Sequence, residues 1–305
     1  MKNYFLIIFI TIASNFSFAQ TKEEIISRII KVNSLDDWDG ILNPKLDING
    51  LSDNNNYYNF EKLKKISSQN QIFELSKHKN PIVRLYAIGE LISQNNHSLD
   101  LKKIVLDAIS NKEIIPTSSG CIIDRDLTYS IIYHNYWNHV RANSSKQQYE
   151  EDNKNNEVMY LQAINNDHLL KEINIEILRR DEDLFWLIYK RAFEIEKYNK
   201  NLKKNIIHLL YKYNNSYAFE YLEKNYPKDF KNIYNGYFNK HFTNAKFDNV
   251  NQIFYLFNLT KYAFENHNKD MKIRILEKLR TTDNWKKELS GIFKVQIFEK
   301  YNVKL

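Results

Sequence analysis

The scarcest residues set the tightest limit on what this chain can become. It has six glycines and four prolines in 305 residues, where an average protein carries roughly 12% of the two together. So few turn formers cannot supply the tight reversals that a β-sandwich, barrel or propeller needs at every strand end. The sequence also lacks a Gly-rich phosphate loop of either common kind, so a nucleotide-binding α/β fold is not expected. A mostly helical chain is what remains.

The first residues address the chain to export. Met1-Lys2-Asn3 is a short, singly positive start, and Tyr4 to Ala13 is an uncharged apolar run. Ser17 and Ala19 then place small residues ahead of the charged sequence from Lys22. This layout predicts a secretory signal peptide over residues 1–19, cleaved after Ala19. The apolar run is too short to cross a bilayer, which needs about 20 residues, and no later segment is long and charge-free enough to span one. No cysteine stands at the cleavage site, so the expected product is a soluble periplasmic or secreted protein and not a lipoprotein. Cys121 is the only cysteine, so no disulfide can form within one chain.

The formal net charge is +7. Lys and Tyr are abundant alongside Asn, Ile and Phe, all residues of AT-rich codons, so genome composition accounts for the basic balance. No nucleic-acid-reading motif appears, and export argues against such a partner.

Residues 20–58 read as an irregular segment with one amphipathic helix, Lys22–Val32. Asp36, Asp37, Asp39, Gly40, Pro44 and Gly50 then mark a loop. The acidic run Asp36-Asp37-Trp38-Asp39-Gly40 is not an EF-hand loop, whose twelfth position is Glu. Here that position is Asp47, or Tyr58 when counted from Asp47. From Asn59 a 3.6-residue period takes over. Leu101, Ile104, Val105 and Ala108 draw one stripe; Tyr129, Ile132, Tyr133, Tyr136, Trp137 and Val140 draw another. Leu202, Ile206, Leu209, Leu210 and Tyr213 repeat the rule, as do Phe230, Ile233, Tyr234, Tyr237 and Phe238. Short polar links such as Asn95-Asn96-His97, Asn214-Asn215 and Pro227-Lys228-Asp229 predict antiparallel neighbours.

One predicted hairpin carries more. A helix over Glu61–Lys77 is followed by Asn80-Pro81-Ile82-Val83-Arg84-Leu85-Tyr86-Ala87-Ile88-Gly89-Glu90-Leu91. Pro81 suits the first helical position, where its missing N–H costs nothing. Val83, Ala87 and Leu91 form an i, i+4, i+8 column, with Ala87 small where two helices approach. Arg84 stands beside the turn, in reach of carbonyls or carboxylates of a neighbouring repeat. This stretch resembles the second helix of a HEAT repeat. The resemblance implies an all-α fold, a right-handed α-α superhelix of antiparallel hairpins, over residues 59–145. Leu99–Ser110 and Asp124–Ala142 keep the two-helix rhythm around a longer connection, Asn111 to Ile123. Residues 146–305 are expected to continue the superhelix, since a repeat needs stacked neighbours to bury its faces.

Candidate chemistry is thin. His134 and His139 stand about 140° apart on a helix and cannot share a metal from one face. Glu74 and His78, at i, i+4, read as ordinary surface, and there is no zinc-ligand spacing. Cys121 sits in a loop ahead of a helix, where a thiol can be activated, but packing is the expected role. Asp124 and Asp126, like Asp181 and Asp183, read as acids at helix starts that complement the helix dipole. Tyr and Lys interleave over Tyr198–Tyr213 and Tyr226–Phe242, a pattern that suits sugar stacking, while helical spacing favours core positions.

No catalytic residue, cofactor or metal is therefore assigned. HEAT-repeat proteins serve mainly as interaction scaffolds, so the resemblance implies a non-enzymatic solenoid that holds a protein partner on its concave face. The alternative is an envelope or extracellular polysaccharide-binding or -degrading protein that uses aromatic and acidic residues.

Overall fold

The computed structural model describes residues 20–37, 54–119, 122–145, 153–195, 197–242, 250–266, 268–281 and 290–304. The signal-peptide segment 1–19, Trp38–Gly40 of the acidic run, and Cys121 lie outside them. Among the described residues the chain is predominantly helical, with fifteen α-helices and one three-stranded sheet. It divides into two compact units, residues 1–163 and 164–305.

Unit 1 opens with α1 (Lys22–Val32). The Thr21 side chain accepts from the Glu24 N–H, and the Glu24 carboxylate accepts from the Thr21 N–H, a reciprocal capping box. Ile25 and Ile29 form the buried stripe of α1, which packs on α2 (Asn56–Lys65). The helix expected over Glu61–Lys77 is two. α2 stops at Lys65, and Ser68 caps a separate α3 (Gln69–Leu75) through a second capping box with Gln71. A Ser-Ser pair followed by Gln offers the backbone this alternative to continued helix.

α4 (Pro81–Ser93) is the helix with the HEAT-like residues, and its local chemistry is as expected. Asn80 caps the Ile82 and Val83 N–H groups, with Pro81 at the helix start. Val83, Ala87 and Leu91 are fully buried. Arg84 reaches back to the His78 carbonyl at 2.8 Å and the Lys79 carbonyl at 3.3 Å, and forward to the Glu113 carboxylate at 2.6 Å. α4 packs against α1, α3 and α6 (Thr128–Ser145).

Between α5 (Leu101–Asn111) and α6 the chain departs from an all-helical reading. The expected connection and the start of the expected helix Asp124–Ala142 are a hairpin: β2 (Ile114–Ser119) and β3 (Ile122–Leu127), antiparallel, from Ile114 opposite Leu127 to Ser119 opposite Ile122. Ile114, Ile115, Thr117, Ile122 and Ile123 are β-branched, and such residues fit a pleated surface better than a helix. β1 (Leu35–Asp36) pairs in parallel with Thr117 and Ser118, so the order is β1-β2-β3. Leu35 and Asp36, expected in a loop, thus form the short edge strand on the far side of β2 from β3. Pro116 is tolerated within β2. The Asp37 N–H donates to the Ser118 carbonyl at 2.9 Å, so Ser118 and, by alternation, Pro116 face β1, and β3 never needs the missing N–H. The division between units falls in α7 (Asn153–Asn166).

Unit 2 holds α8 (His168–Arg179), α9 (Trp186–Ala192), a 3₁₀ turn (Lys200–Leu202), α10 (Lys203–Tyr213) and α11 (Ser216–Asn225). α12 (Pro227–His241), α13 (Val250–Glu265), α14 (Lys269–Thr281) and α15 (Ser290–Tyr301) follow. Sequential pairs α10–α11, α11–α12 and α13–α14 pack together, and α11 also meets α9 and α13. Asn does the work of the absent glycines. Asn33, Asn95, Asn214 and Asn302 all adopt positive φ, from 51° to 57°, the left-handed conformation in which Asn is the best substitute for Gly.

Candidate functional site

The face of α4 beside the Val83–Leu91 column carries Tyr86, Gly89, Glu90 and Ser93, a second stripe at i, i+3, i+4 and i+7. This stripe is one wall of a groove of about 510 Å³ in unit 1. α2 contributes Tyr57, Phe60 and Glu61; the sheet contributes Leu35, Asp36, Thr117–Ser119, Ile122, Asp124 and Asp126; α6 contributes Ile131, His134 and Asn135.

Its floor is aromatic. Phe60 stacks on Tyr86 with ring centroids 5.1 Å apart and planes at 16°. The Tyr86 hydroxyl donates to the Asp36 carbonyl at 2.7 Å and accepts from the Asp36 N–H at 2.8 Å, fixing β1 against α4. Burial raises the Tyr86 pKa, so the hydroxyl stays protonated and keeps this donor role. Asp36 is itself buried, and its carboxylate accepts from the Asn56 N–H at 2.7 Å. The Asn56 amide in turn donates to the Ile29 and Ser34 carbonyls at 3.0 and 2.8 Å. α1, β1 and α2 are thereby locked together through the buried side chains of Asp36 and Asn56.

The rim is acidic. Asp36, Asp37, Glu61, Glu90, Asp124 and Asp126 line the groove, and none of its lining residues is Lys or Arg. Lys64 approaches from outside, 2.5 Å from Glu61 and 3.2 Å from Glu90. Partial burial opposes its charge, but the bonds to these two carboxylates outweigh that and raise its pKa. Asp126 accepts from the Thr117 hydroxyl at 2.7 Å. A concave wall of one sign concentrates oppositely charged groups. In a chain of net charge +7, this groove is a local inversion.

The other candidate residues are dispersed. Asp124 and Asp126 do not start a helix but point from β3 into the groove. Asp181 and Asp183 also precede no helix directly, since α9 begins at Trp186. Asp181 accepts from Lys212 at 2.6 Å, His208 at 2.8 Å and the Tyr213 hydroxyl at 2.8 Å, a clamp that holds its carboxyl well below the usual range. Asp183 is instead pushed up by burial. His134 lies parallel to Trp137, while His139 contacts Asn95 and Asn143. Glu74 pairs with Lys77, and His78 accepts from the Asn80 N–H. Among the described residues no group of three or more His, Cys, Asp or Glu could hold a metal ion, and no helix is long and apolar enough to cross a membrane.

The interleaved tyrosines divide between core and rim: Tyr198, Tyr234 and Tyr237 are buried with Phe230 and Phe238, while Tyr211, Tyr213 and Tyr226 are half-buried. Trp186, outside both runs, is 51% exposed. It lies 5.5 Å from Phe185 and 6.5 Å from Tyr217, nearly parallel to the latter, with Glu220 one turn further along α11.

Phe60, Glu61, Tyr86 and Glu90 escaped the sequence reading. The signal available was the second stripe of α4, legible beside the apolar column as an aromatic and an acid four residues apart. No protein-family model, no curated protein and no solved structure matches this chain.

Proposed function

We propose that this chain is an exported, non-enzymatic binding protein whose helical hairpins continue a HEAT-like superhelix, and that the acidic groove of unit 1 receives a protein partner. The carrying observation is the groove itself: an aromatic floor under a rim of carboxylates, with no cationic residue in its lining. Such a surface combines an apolar anchor with charge selectivity, the usual division of labour at a protein interface. The local agreement of Pro81, Arg84 and Ala87 with the repeat pattern supports the superhelical reading.

A photoreactive residue at groove position Ser93, compared with one at Ser110 on α5, tests the reading in envelope extract. Crosslinking to a protein from Ser93 and not from Ser110, abolished by Glu61→Lys with Glu90→Lys, is the expected result. Equal capture at both positions, or capture that survives both reversals, would sink it.

Trp186 favours a second reading, a sugar-binding surface in unit 2. An exposed ring beside Tyr217 and Glu220 offers a stacking face and a hydrogen-bond acceptor. Binding to immobilised oligosaccharides that disappears in Trp186→Ala, with groove variants unaffected, would favour it over the first.

A further inference from the structure

β3 is the outer strand of the sheet, and among the described residues no strand pairs with its free side. Ile115, Thr117 and Ser119 face β3 across the ladder, so the backbone groups of Ile122, Asp124 and Asp126 are taken up by β2. By alternation the N–H and C=O of Ile123 and Arg125 point outward. The side chains alternate as well. Ile122, Asp124 and Asp126 line the groove, while Ile123, Arg125 and Leu127 occupy the other face. Ile122 is 67% exposed and Ile123 83%, an apolar edge that a folded protein ordinarily covers or blunts.

A second copy of β3 is a poor cover. Antiparallel strands related by a two-fold axis through the sheet keep their faces aligned, so only residues of like parity can meet. The central registers then place Asp124 against Asp124, or Asp124 against Asp126 with Arg125 against Arg125. Like charges directly opposite are destabilising. A strand with cations at alternate positions has the opposite sign at Asp124 and Asp126 and places no charge against Arg125, and the acidic groove continues the match beyond the strand.

We propose that the edge of β3 accepts an extended cationic peptide segment as a fourth strand. Lys or Arg at alternate positions would lie over Asp124 and Asp126, with apolar residues at the intervening positions over Ile123, Arg125 and Leu127. The inference deepens the groove reading and rests on it. Asp124 is the guard of this edge. Its carboxylate accepts from the outward Arg125 N–H at 2.7 Å. An entering strand supplies a carbonyl to that N–H and a cation to the released carboxylate, so both partners of the bond are re-satisfied.

The test uses the full chain and three synthetic peptides: alternating Lys-Val, the same composition in blocks of Lys and Val, and the alternating peptide with its inward amides N-methylated. Calorimetry is expected to show binding of the alternating peptide at least tenfold tighter than of either control. The Arg125 amide should exchange more slowly in the complex. Asp124→Lys with Asp126→Lys, checked for fold by circular dichroism, should abolish the binding. Equal binding of the N-methylated or block peptide would overturn strand addition while leaving the groove as a charged dock. No peptide binding, alongside continued crosslinking from Ser93, would overturn it too and leave the groove reading standing. Loss of crosslinking with peptide binding intact would remove the groove reading alone. Concentration-dependent dimerisation abolished by Asp124→Lys would show that a second copy is the true occupant.

Discussion

Around Ala87, unit 1 packs aliphatic on aliphatic: Ile29, Leu63, Val83, Ile88 and Leu91 are all buried. Around Tyr234, unit 2 packs ring on ring. Phe219 meets Phe230 edge to face at 5.0 Å, and Phe230 meets Tyr262 at the same distance. Tyrosines there spend their hydroxyls on helix backbones: buried Tyr234 donates to the Leu259 carbonyl at 2.8 Å and half-buried Tyr211 to that of Ile233 at 2.8 Å. In unit 1 the aliphatic column of α4 faces the core and polar residues of the same helix line a groove. Large side chains in unit 2 fill the space between helices and tie them by hydrogen bonds. The aromatic richness of the sequence is therefore mainly architecture in unit 2, while the functional candidates of unit 1 are acids.

The sharpest way to break this contrast is to empty the aromatic core. Phe230→Ala should destabilise unit 2 by about 3–5 kcal/mol. Hydrogen exchange read by mass spectrometry should show protection lost across α11, α12 and α13 and retained in α4. Uniform loss over both units would mean that their cores are not separable.

In unit 1 the corresponding weak point is polar. Arg84→Ala removes the fork between the His78 turn and Glu113 and should cost about 1.5–3 kcal/mol in denaturant unfolding. Arg84→Lys should recover little of it, because an ammonium cannot span both sites. Full recovery by Lys would reduce the fork to a simple charge.

Helix ends permit a finer comparison. Asn33, at φ 53° after α1, should lose about 1–2 kcal/mol on substitution by Ala, the cost of left-handed backbone with a Cβ. Asn33→Gly should be nearly neutral, and a reversed order would refute the conformational argument.

The smallest effect is a pH dependence confined to unit 2. Burial lowers the pKa of His241, whose Nε2 lies 2.6 Å from the Tyr211 carbonyl and donates to it when neutral. Below the free-histidine value of about 6.5 the unfolded chain takes up a proton that the folded chain resists. The stabilisation is thus present above that pH and lost as pH falls through the folded pKa. Unfolding midpoints at pH 7.5 and 5.5 should differ less in His241→Gln than in the parent.

What the sequence revealed follows from period. The stripe Phe230, Ile233, Tyr234, Tyr237 and Phe238 is buried in full, as is the Val83–Ala87–Leu91 column, because one helix face carries its own signal. The hairpin was hidden for two reasons. Ile122 and Ile123 are adjacent and both exposed, so no apolar alternation marks β3. Asp124 and Asp126, just ahead of an apolar helix, imitate N-terminal acids. The groove was hidden because its parts meet only on folding. Asp36 and Tyr86 are 50 residues apart, and β1 pairs with a strand some 80 residues later, a distance at which local pattern carries nothing.

The lone proline of the sheet has one last effect. On the side of Pro116 the sheet stops at two-residue β1, which α2 and α4 pack against. Among the described residues only the β3 edge of this sheet is left open to a guest, and a fibre requires two receptive edges per molecule. One visitor therefore completes the sheet, and polymerisation has nowhere to propagate.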